Sequence, residues 1–461
     1  MASFAPFRLL AILAAFSSLA HAQSPSPAAS ATPDPVRAAN RRIAAADRLQ
    51  MLAQLHLSDP LNIASLAPGQ KAGPPTNYDE SRANPFPLTN PLLLKNGKPV
   101  QDAATWWDQR RPEILEAFST EIYGKIPSTP KVAWQVTKVD PNTESGAIVK
   151  TIVGQVDNSA WPAAASHIDL TLYLPANATG PVPVIVEIIP GGNPQGPARE
   201  PVALPLILAR GWGCATASTY TVQADTGAGL TNGIIGIVNH GQPRKPDQWG
   251  VLAAWSWGLS RVIDYLETDK AVDAKRLGVE GHSRWGKTAL LCAALDPRWS
   301  IVYASCSGQG GAKPSRRNWG ETVDDVCGIG EYDWMAGNYL KYCLHWGDLP
   351  VDSPELISLV APRPVFIGCG TTDQWADPHG QFLAVLAAGP VWRLLGAKDV
   401  GTAGPPTPDA ELISGDIGFR MHNGGHTDVL DFPTFLKFAG KYWGQVKGFG
   451  ANRGGGSSFV E

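Results

Sequence analysis

The sequence predicts an α/β protein: a doubly wound, mostly parallel sheet in a three-layer sandwich, with one long insertion late in the chain. Three observations predict it. From Val182 onward, short apolar runs alternate with helical segments, the pattern of parallel strands joined by crossover helices. The apolar run at 182–189 is what a strand buried on both faces requires. The strand-like stretch 277–280 then leads through Gly281-His282-Ser283-Arg284-Trp285-Gly286-Lys287 into a helix over 288–295. A strand, a sharp turn carrying a serine and a helix follow one another there.

In chain order, residues 1–22 read as a secretory signal. Arg8 precedes an apolar stretch from Leu9 to Ala20, and Ala20-His21-Ala22 offers a small-x-small cleavage site. The stretch is too short for a membrane span, so the mature protein is expected to be exported, to the periplasm or beyond, with no membrane attachment. Residues 23–36 are Ser/Pro/Ala-rich and predict a disordered linker. Residues 37–448 read as one domain with an N-terminal extension, and 449–461 as a flexible Gly/Ser-rich tail. A helix is predicted over 41–57, an extended surface stretch over 59–100, and a helix over 106–123 that Pro112 should split. Strands are predicted at 132–139, 146–156, 167–174, 182–189 and 213–218, with a short helix at 204–209. A glycine-rich loop over 224–250 precedes a long helix over 250–266. After the serine turn come a strand at 301–305, an irregular insertion over 308–350, a strand at 365–370, a helix at 381–386, a strand at 418–422 and a helix at 432–442.

The formal charge is −3, and removing a signal with one Arg and no acid leaves −4. So weak a charge excludes nucleic acid as the main partner. Sixteen Trp serve equally as core filler or as indole faces for sugar rings. Of six cysteines, Cys214, Cys292 and Cys369 fall in predicted strands or the helix after the serine, where free thiols bury well. Cys306, Cys327 and Cys343 fall in one loop-rich region where a bridge is possible. No spacing resembles a zinc site, a monomer is expected, and the chemistry below needs no metal or organic cofactor.

A serine nucleophile needs a base within hydrogen-bond reach and an acid that orients the base. In an α/β-hydrolase these come in the order Ser, acid, His. Ser283 is the nucleophile candidate. His426, in Gly424-Gly425-His426-Thr427-Asp428 after the last predicted strand, is the base candidate. Asp373 follows the strand at 365–370 and is favoured as the acid over Asp377 and Asp431, although an Asp in a loop is commonly a turn former. Position 306, after the strand that follows the serine helix, is a rival place for the acid, but Cys306 supplies no fixed negative charge. Arg284 offers an oxyanion donor through its backbone N–H and a second through its guanidinium. Pro190-Gly191-Gly192-Asn193 is a weaker candidate for another donor.

With these residues in place, the chain resembles the bacterial-type glucuronoyl esterases of carbohydrate esterase family fifteen. The resemblance runs through Arg110-Arg111-Pro112-Glu113, Ala254-Trp255-Ser256-Trp257-Gly258, the Ser283-Arg284-Trp285-Gly286-Lys287 turn, Ser307-Gly308-Gln309-Gly310-Gly311, Gly320-Glu321-Thr322, Ala361-Pro362-Arg363-Pro364, Asp373-Gln374-Trp375 and Gly425-His426. It implies a serine esterase that splits the ester between a (4-O-methyl-)glucuronic acid branch of xylan and a lignin alcohol, through an acyl-enzyme. It also implies that Lys287 and Glu321 hold sugar hydroxyls, that Trp375 flanks the uronate and that Arg284 stabilises the oxyanion. Fungal members carry Glu where this chain has Cys306, which implies an acid relocated to Asp373. They also carry a disulfide whose positions here are His282 and Thr427. An acetyl-xylan or generic carboxylesterase of the same fold is the alternative enzyme; a glycan-binding protein without catalysis is the alternative outside enzymology.

Overall fold

The computed structural model describes residues 34–63, 73–142, 144–191, 200–444 and 446. The signal, the linker up to residue 33 and the tail at 449–461 lie outside them.

Nine strands form one sheet: β1 Val132–Asn142, β2 Ala147–Val156, β3 His167–Pro175, β4 Val182–Ile189, β5 Gly213–Ser218, β6 Val272–His282, β7 Ile301–Ser305, β8 Val365–Gly370 and β9 Ile417–His422. Their order is β1-β2-β3-β5-β4-β6-β7-β8-β9. The pairings of β1, β2, β3 and β5 in series are antiparallel, and every pairing from β5 through β4 to β9 is parallel. The mostly parallel sheet is therefore confirmed, with an antiparallel edge.

Side-chain alternation explains the layers on both faces. On β4, Val184 and Val186 join one apolar cluster while Ile185 joins the other. On β7, Val302 and Ala304 face the first cluster and Tyr303 the second. The first cluster is closed by α2 (Val251–Leu266), α3 (Arg284–Leu295) and α4 (Pro378–Leu394). The second is closed by the short helix Leu204–Leu208 and by α5 (Phe432–Trp443), whose Phe432, Phe435 and Phe438 surround Tyr303 and Phe366. An N-terminal helix, α1 (Pro35–Gln54), packs against the insertion, where Tyr332 Oη donates to Ala44 O and Asp47 Oδ2, each at 2.9 Å.

Several boundaries differ from expectation. The helix α1 begins at Pro35, inside the predicted linker, because Asp34 caps it by accepting the Val36 N–H. The helix at 106–123 is not split: a continuous helical run extends from Ala103 to Ile122. Trp106–Arg110 is a π-type turn, closed by Arg111 N–H to Trp106 O, and that wider turn makes room for the Pro112 ring. The glycine-rich loop contains a helix, Gly233–Val238, and the insertion is followed by another, Ser353–Ser358, with an Asp352/Glu355 capping box. All six thiols are buried and unpaired. Cys306 faces Thr427 O and Asp373, away from the other two; Cys327 lies beside Cys343 and also faces Tyr339 O, and both are free thiols.

Candidate active site

Ser283 sits between the end of β6 and the first residue of α3, with φ 60° and ψ −126°. A non-glycine residue in that region is strained, and the surroundings must hold it there. Two glycines make the turn possible. A Cβ on Gly281 would lie 2.1 Å from Trp285 O, and one on Gly286 would lie 2.6 Å from Ser305 O. The later glycine thus serves the close helix–strand approach although it stands one residue beyond the usual place. Ser283 N–H donates to Ser305 O at 2.8 Å, and its own carbonyl accepts from Gly286 and Lys287 N–H at 2.8 and 3.2 Å. The Arg284 N–H is the first of the helix, where backbone donors lack intrahelical acceptors.

The loops that follow β8 and β9 carry the other two candidates. Since β8 and β9 pair directly in parallel, both loops leave the same sheet edge side by side. They are tied: Thr371 N–H donates to His422 O at 2.9 Å, and Thr372 donates to Gly424 O from its N–H at 2.9 Å and from Oγ1 at 2.8 Å. His426 Nδ1 then donates to Asp373 Oδ2 at 2.7 Å. Burial alone would raise the Asp373 carboxyl; the hydrogen bonds from His426, Cys306 and Ala376 N–H outweigh it and hold the group below the ordinary carboxylate value. The thiol of Cys306 is pushed well up, by burial first and the Asp373 charge second. The His426 ring lies beside His282, with centroids 4.3 Å apart.

The rival acids are engaged elsewhere. Asp377 is fully buried, accepts from Arg317 Nε at 2.9 Å and caps Gly380 N–H at 2.9 Å. Asp431 pairs with His422 Nδ1 at 2.8 Å and with Arg420 Nη1 at 3.1 Å. His422 Nε2 in turn donates to Gly425 O at 2.9 Å, so this buried pair braces the glycine ahead of His426. Burial works against a charged His422, but the Asp431 hydrogen bond and charge prevail and hold its pKa above the ordinary value.

On the opposite side of the serine turn, Lys287 Nζ donates to Glu321 Oε2 and to Ser307 O, both at 2.8 Å. Each of the two residues is 3% exposed, so a solvated surface role is ruled out. Glu321 Oε2 also accepts the Gln309 N–H at 2.9 Å. Glu321 N–H donates to Trp375 O at 2.8 Å, which brings Trp375 to this rim; the indole is 37% exposed and is not core. Gly192 and Asn193 lie outside the described residues.

Three further residues gather here that sequence reasoning missed. Asp225 accepts Arg284 Nη1 at 2.5 Å, Tyr220 Oη at 2.9 Å and, on its other oxygen, Trp334 Nε1 at 2.7 Å. Burial opposes the Arg284 charge, but Asp225 more than compensates and holds the guanidinium protonated. The Trp334 ring stands 4.8 Å from the Arg284 guanidinium and 5.5 Å from Lys287 Nζ, within cation–π range. Glu331 Oε2 is buried without a hydrogen-bond partner. Burial first, and the Glu321 charge second, push its carboxyl up to about 8. The only sequence signal for these was their crowding into a glycine-rich loop and the insertion, segments with no periodicity to read.

Residues 162–396 match the family model described as glucuronyl esterase, fungi. The carbohydrate esterase MZ0003, from an unknown prokaryotic organism, is 33% identical over 402 residues, covering 79% of this chain and 91% of that protein. The 4-O-methyl-glucuronoyl methylesterase 1 of Phanerochaete chrysosporium is 27% identical over 376 residues, covering 78% of this chain and 74% of its own length. Among solved structures, a CE15 glucuronoyl esterase from Teredinibacter turnerae superposes with a TM-score of 0.78 at 37% identity, covering 87% of this chain and all of that one. A glucuronoyl esterase from Solibacter usitatus gives 0.73 at 36% identity, covering 79% and 100%. With an α/β-hydrolase sheet, a serine turn at the end of its interior parallel strand β6 and these relatives along most of its length, the chain belongs to the glucuronoyl esterase family, carbohydrate esterase family 15.

Proposed function

We propose that this protein hydrolyses esters of glucuronic acid, including the 4-O-methyl form, with Ser283 as nucleophile, His426 as base and Asp373 as the acid that orients it. The observation that carries the reading is the 2.7 Å bond between His426 Nδ1 and Asp373 Oδ2 on loops beside the strained serine turn. The Asp373 carboxylate fixes the tautomer that leaves His426 Nε2 as acceptor. Nε2 takes the Ser283 proton as Oγ attacks the ester carbonyl. The negative charge that develops on the carbonyl oxygen meets the Arg284 N–H and guanidinium. His426 then gives its proton to the leaving alcohol, and water releases the uronate from the acyl-enzyme by the same steps.

Lys287, Glu321 and Trp375 make the substrate side. A buried ammonium–carboxylate pair presents both a donor and an acceptor to sugar hydroxyls, and the half-exposed indole offers an apolar face to the ring. Two charges so deeply buried are costly in the free enzyme, which is the expected signature of a polar binding site. The ester joins a glucuronic acid branch of xylan to a lignin-derived alcohol, and the enzyme works outside the cytoplasm as a monomer. Among the described residues no helix is long and apolar enough to cross a membrane. The test is turnover of benzyl glucuronate by Ser283→Ala. Loss by several orders of magnitude in a folded protein supports the reading; activity near that of the unmodified enzyme overturns it.

A further inference from the structure

We propose that Cys306, Asp373 and His426 form a three-ligand binding site for Zn²⁺ that shuts the esterase off. A thiol sulfur, a carboxylate oxygen and an imidazole nitrogen of these residues all lie within 4.8 Å of one another. They are the three donor types zinc takes in proteins, with bonds of about 2.0–2.3 Å. A tetrahedral ion with such bonds spaces its ligands by about 3.3–3.8 Å, so this triangle closes on an ion with small side-chain shifts. Two of the donors are fixed within the protein. Cys306 is 2% exposed and its N–H donates to Gly368 O at 2.8 Å; Asp373 is 5% exposed and its N–H donates to Gly370 O at 3.1 Å. The third, His426, has a side chain 41% exposed, so an ion can enter from solvent and keep a water as its fourth ligand. A carboxylate in place of Cys306 would give a harder donor set; the thiol makes this one selective for a soft, thiophilic ion.

Binding releases the thiol proton to solvent, the Nδ1 proton is exchanged through solvent to Nε2, and the freed lone pairs on sulfur and Nδ1 go to the metal. His426 would then carry the ion on Nδ1 and a proton on Nε2. That ring cannot accept the Ser283 proton, so turnover stops. The site's existence stands on the three donors alone; only its inhibitory effect rests on the catalytic roles proposed above.

The full-length mature protein would be titrated with Co²⁺ as a spectroscopic stand-in and with Zn²⁺ as competitor. A thiolate-to-Co²⁺ charge-transfer band saturating at one ion per chain, bleached by Zn²⁺, is the expected result. In parallel, Zn²⁺ should abolish benzyl glucuronate turnover and a chelator should restore it. Cys306→Ala and Cys306→Ser, each compared with its own metal-free activity and checked by circular dichroism, should lose the band and need at least about tenfold more Zn²⁺ for inhibition. Absence of a band in the unmodified protein, or a band that persists in Cys306→Ala, overturns the site. A one-to-one band with turnover untouched by saturating Zn²⁺ keeps the site, overturns the shut-off and removes His426 from the proposed base role.

Discussion

His426 Nδ1 and Asp373 Oδ2 meet at 2.7 Å although 53 residues separate them in sequence. The sheet explains the meeting. Strands β8 and β9 are parallel neighbours in register from Val365/Ile417 to Gly370/His422, so the loops after them start side by side. The chain spends the intervening residues on α4 and a surface excursion. Asp373 therefore stands one strand away from His426, and position 306, at the end of β7, stands one strand further along the same edge.

Asp373→Asn keeps the shape of the acid and loses its charge. Turnover of benzyl glucuronate should fall steeply; the equivalent change in a serine protease costs about 10⁴-fold. Because Cys306 lies on the same side of the base, Asp373→Asn combined with Cys306→Glu should recover part of the loss. A single Asp373→Asn enzyme with nearly full kcat would mean that His426 is oriented by something else.

Asp225 should act through Arg284. Asp225→Asn keeps the shape and one acceptor oxygen, so one of Tyr220 Oη and Trp334 Nε1 keeps its partner, and it removes the charge facing the guanidinium. With Arg284 free to swing away from the ester, kcat should drop by about 10²-fold, the scale of losing one oxyanion donor. Asp225→Glu should retain more activity than Asp225→Asn. If instead only the melting temperature falls and kcat is unchanged, the pair is a structural brace.

The Lys287–Glu321 pair allows a sharper test because it is buried. Removing one partner leaves an uncompensated charge and costs about 3–5 kcal/mol of stability. Replacing both, as in Lys287→Met with Glu321→Leu, should cost less than the sum of the two, measured by urea unfolding. Activity should separate the roles further. In the folded double variant, uronate-ester turnover should fall far more than turnover of nitrophenyl acetate. Equal losses on both substrates would mean that the pair supports the fold and reads no sugar.

The parallel half of the sheet was legible because most of its strands are short buried runs: β4, β5, β7 and β8 begin and end at the predicted residues, whereas only 277–280 of β6 was read, since its first half is charged and half-exposed. The serine turn was legible because a strand, a glycine-bounded serine and a helix are contiguous. Asp225, Trp334 and Glu331 were not, because nothing local marks them. Asp225 lies in a glycine-rich segment, and the insertion folds back from about fifty residues downstream of the serine to supply the other two. Pro112 misled for a related reason: a proline breaks an α-helical ladder, but the π-type turn before it removes the clash that breaking assumes.

Glu331 makes stability depend on pH in a direction that can be worked out. Its carboxyl ordinarily titrates at 4.5 and is pushed up to about 8 in the folded protein, by burial first and by the Glu321 charge second. Below pH 4.5 both folded and unfolded chains carry the proton. Between 4.5 and about 8 the unfolded chain has lost it and the folded chain keeps it, so folded stability declines as pH rises through that window. The fully buried Asp333, both of whose oxygens lack hydrogen-bond partners, is raised to about 8 by burial and adds a slope of the same sign. Glu331→Gln carries no titrating proton and should flatten the decline by up to one proton's worth; adding Asp333→Asn should flatten it further. Urea midpoints measured from pH 5 to 9 in both variants and the unmodified enzyme check this. Parallel curves in all three would show that Glu331 and Asp333 are already ionised in the folded state, and that neighbouring cations stabilise their charges despite burial.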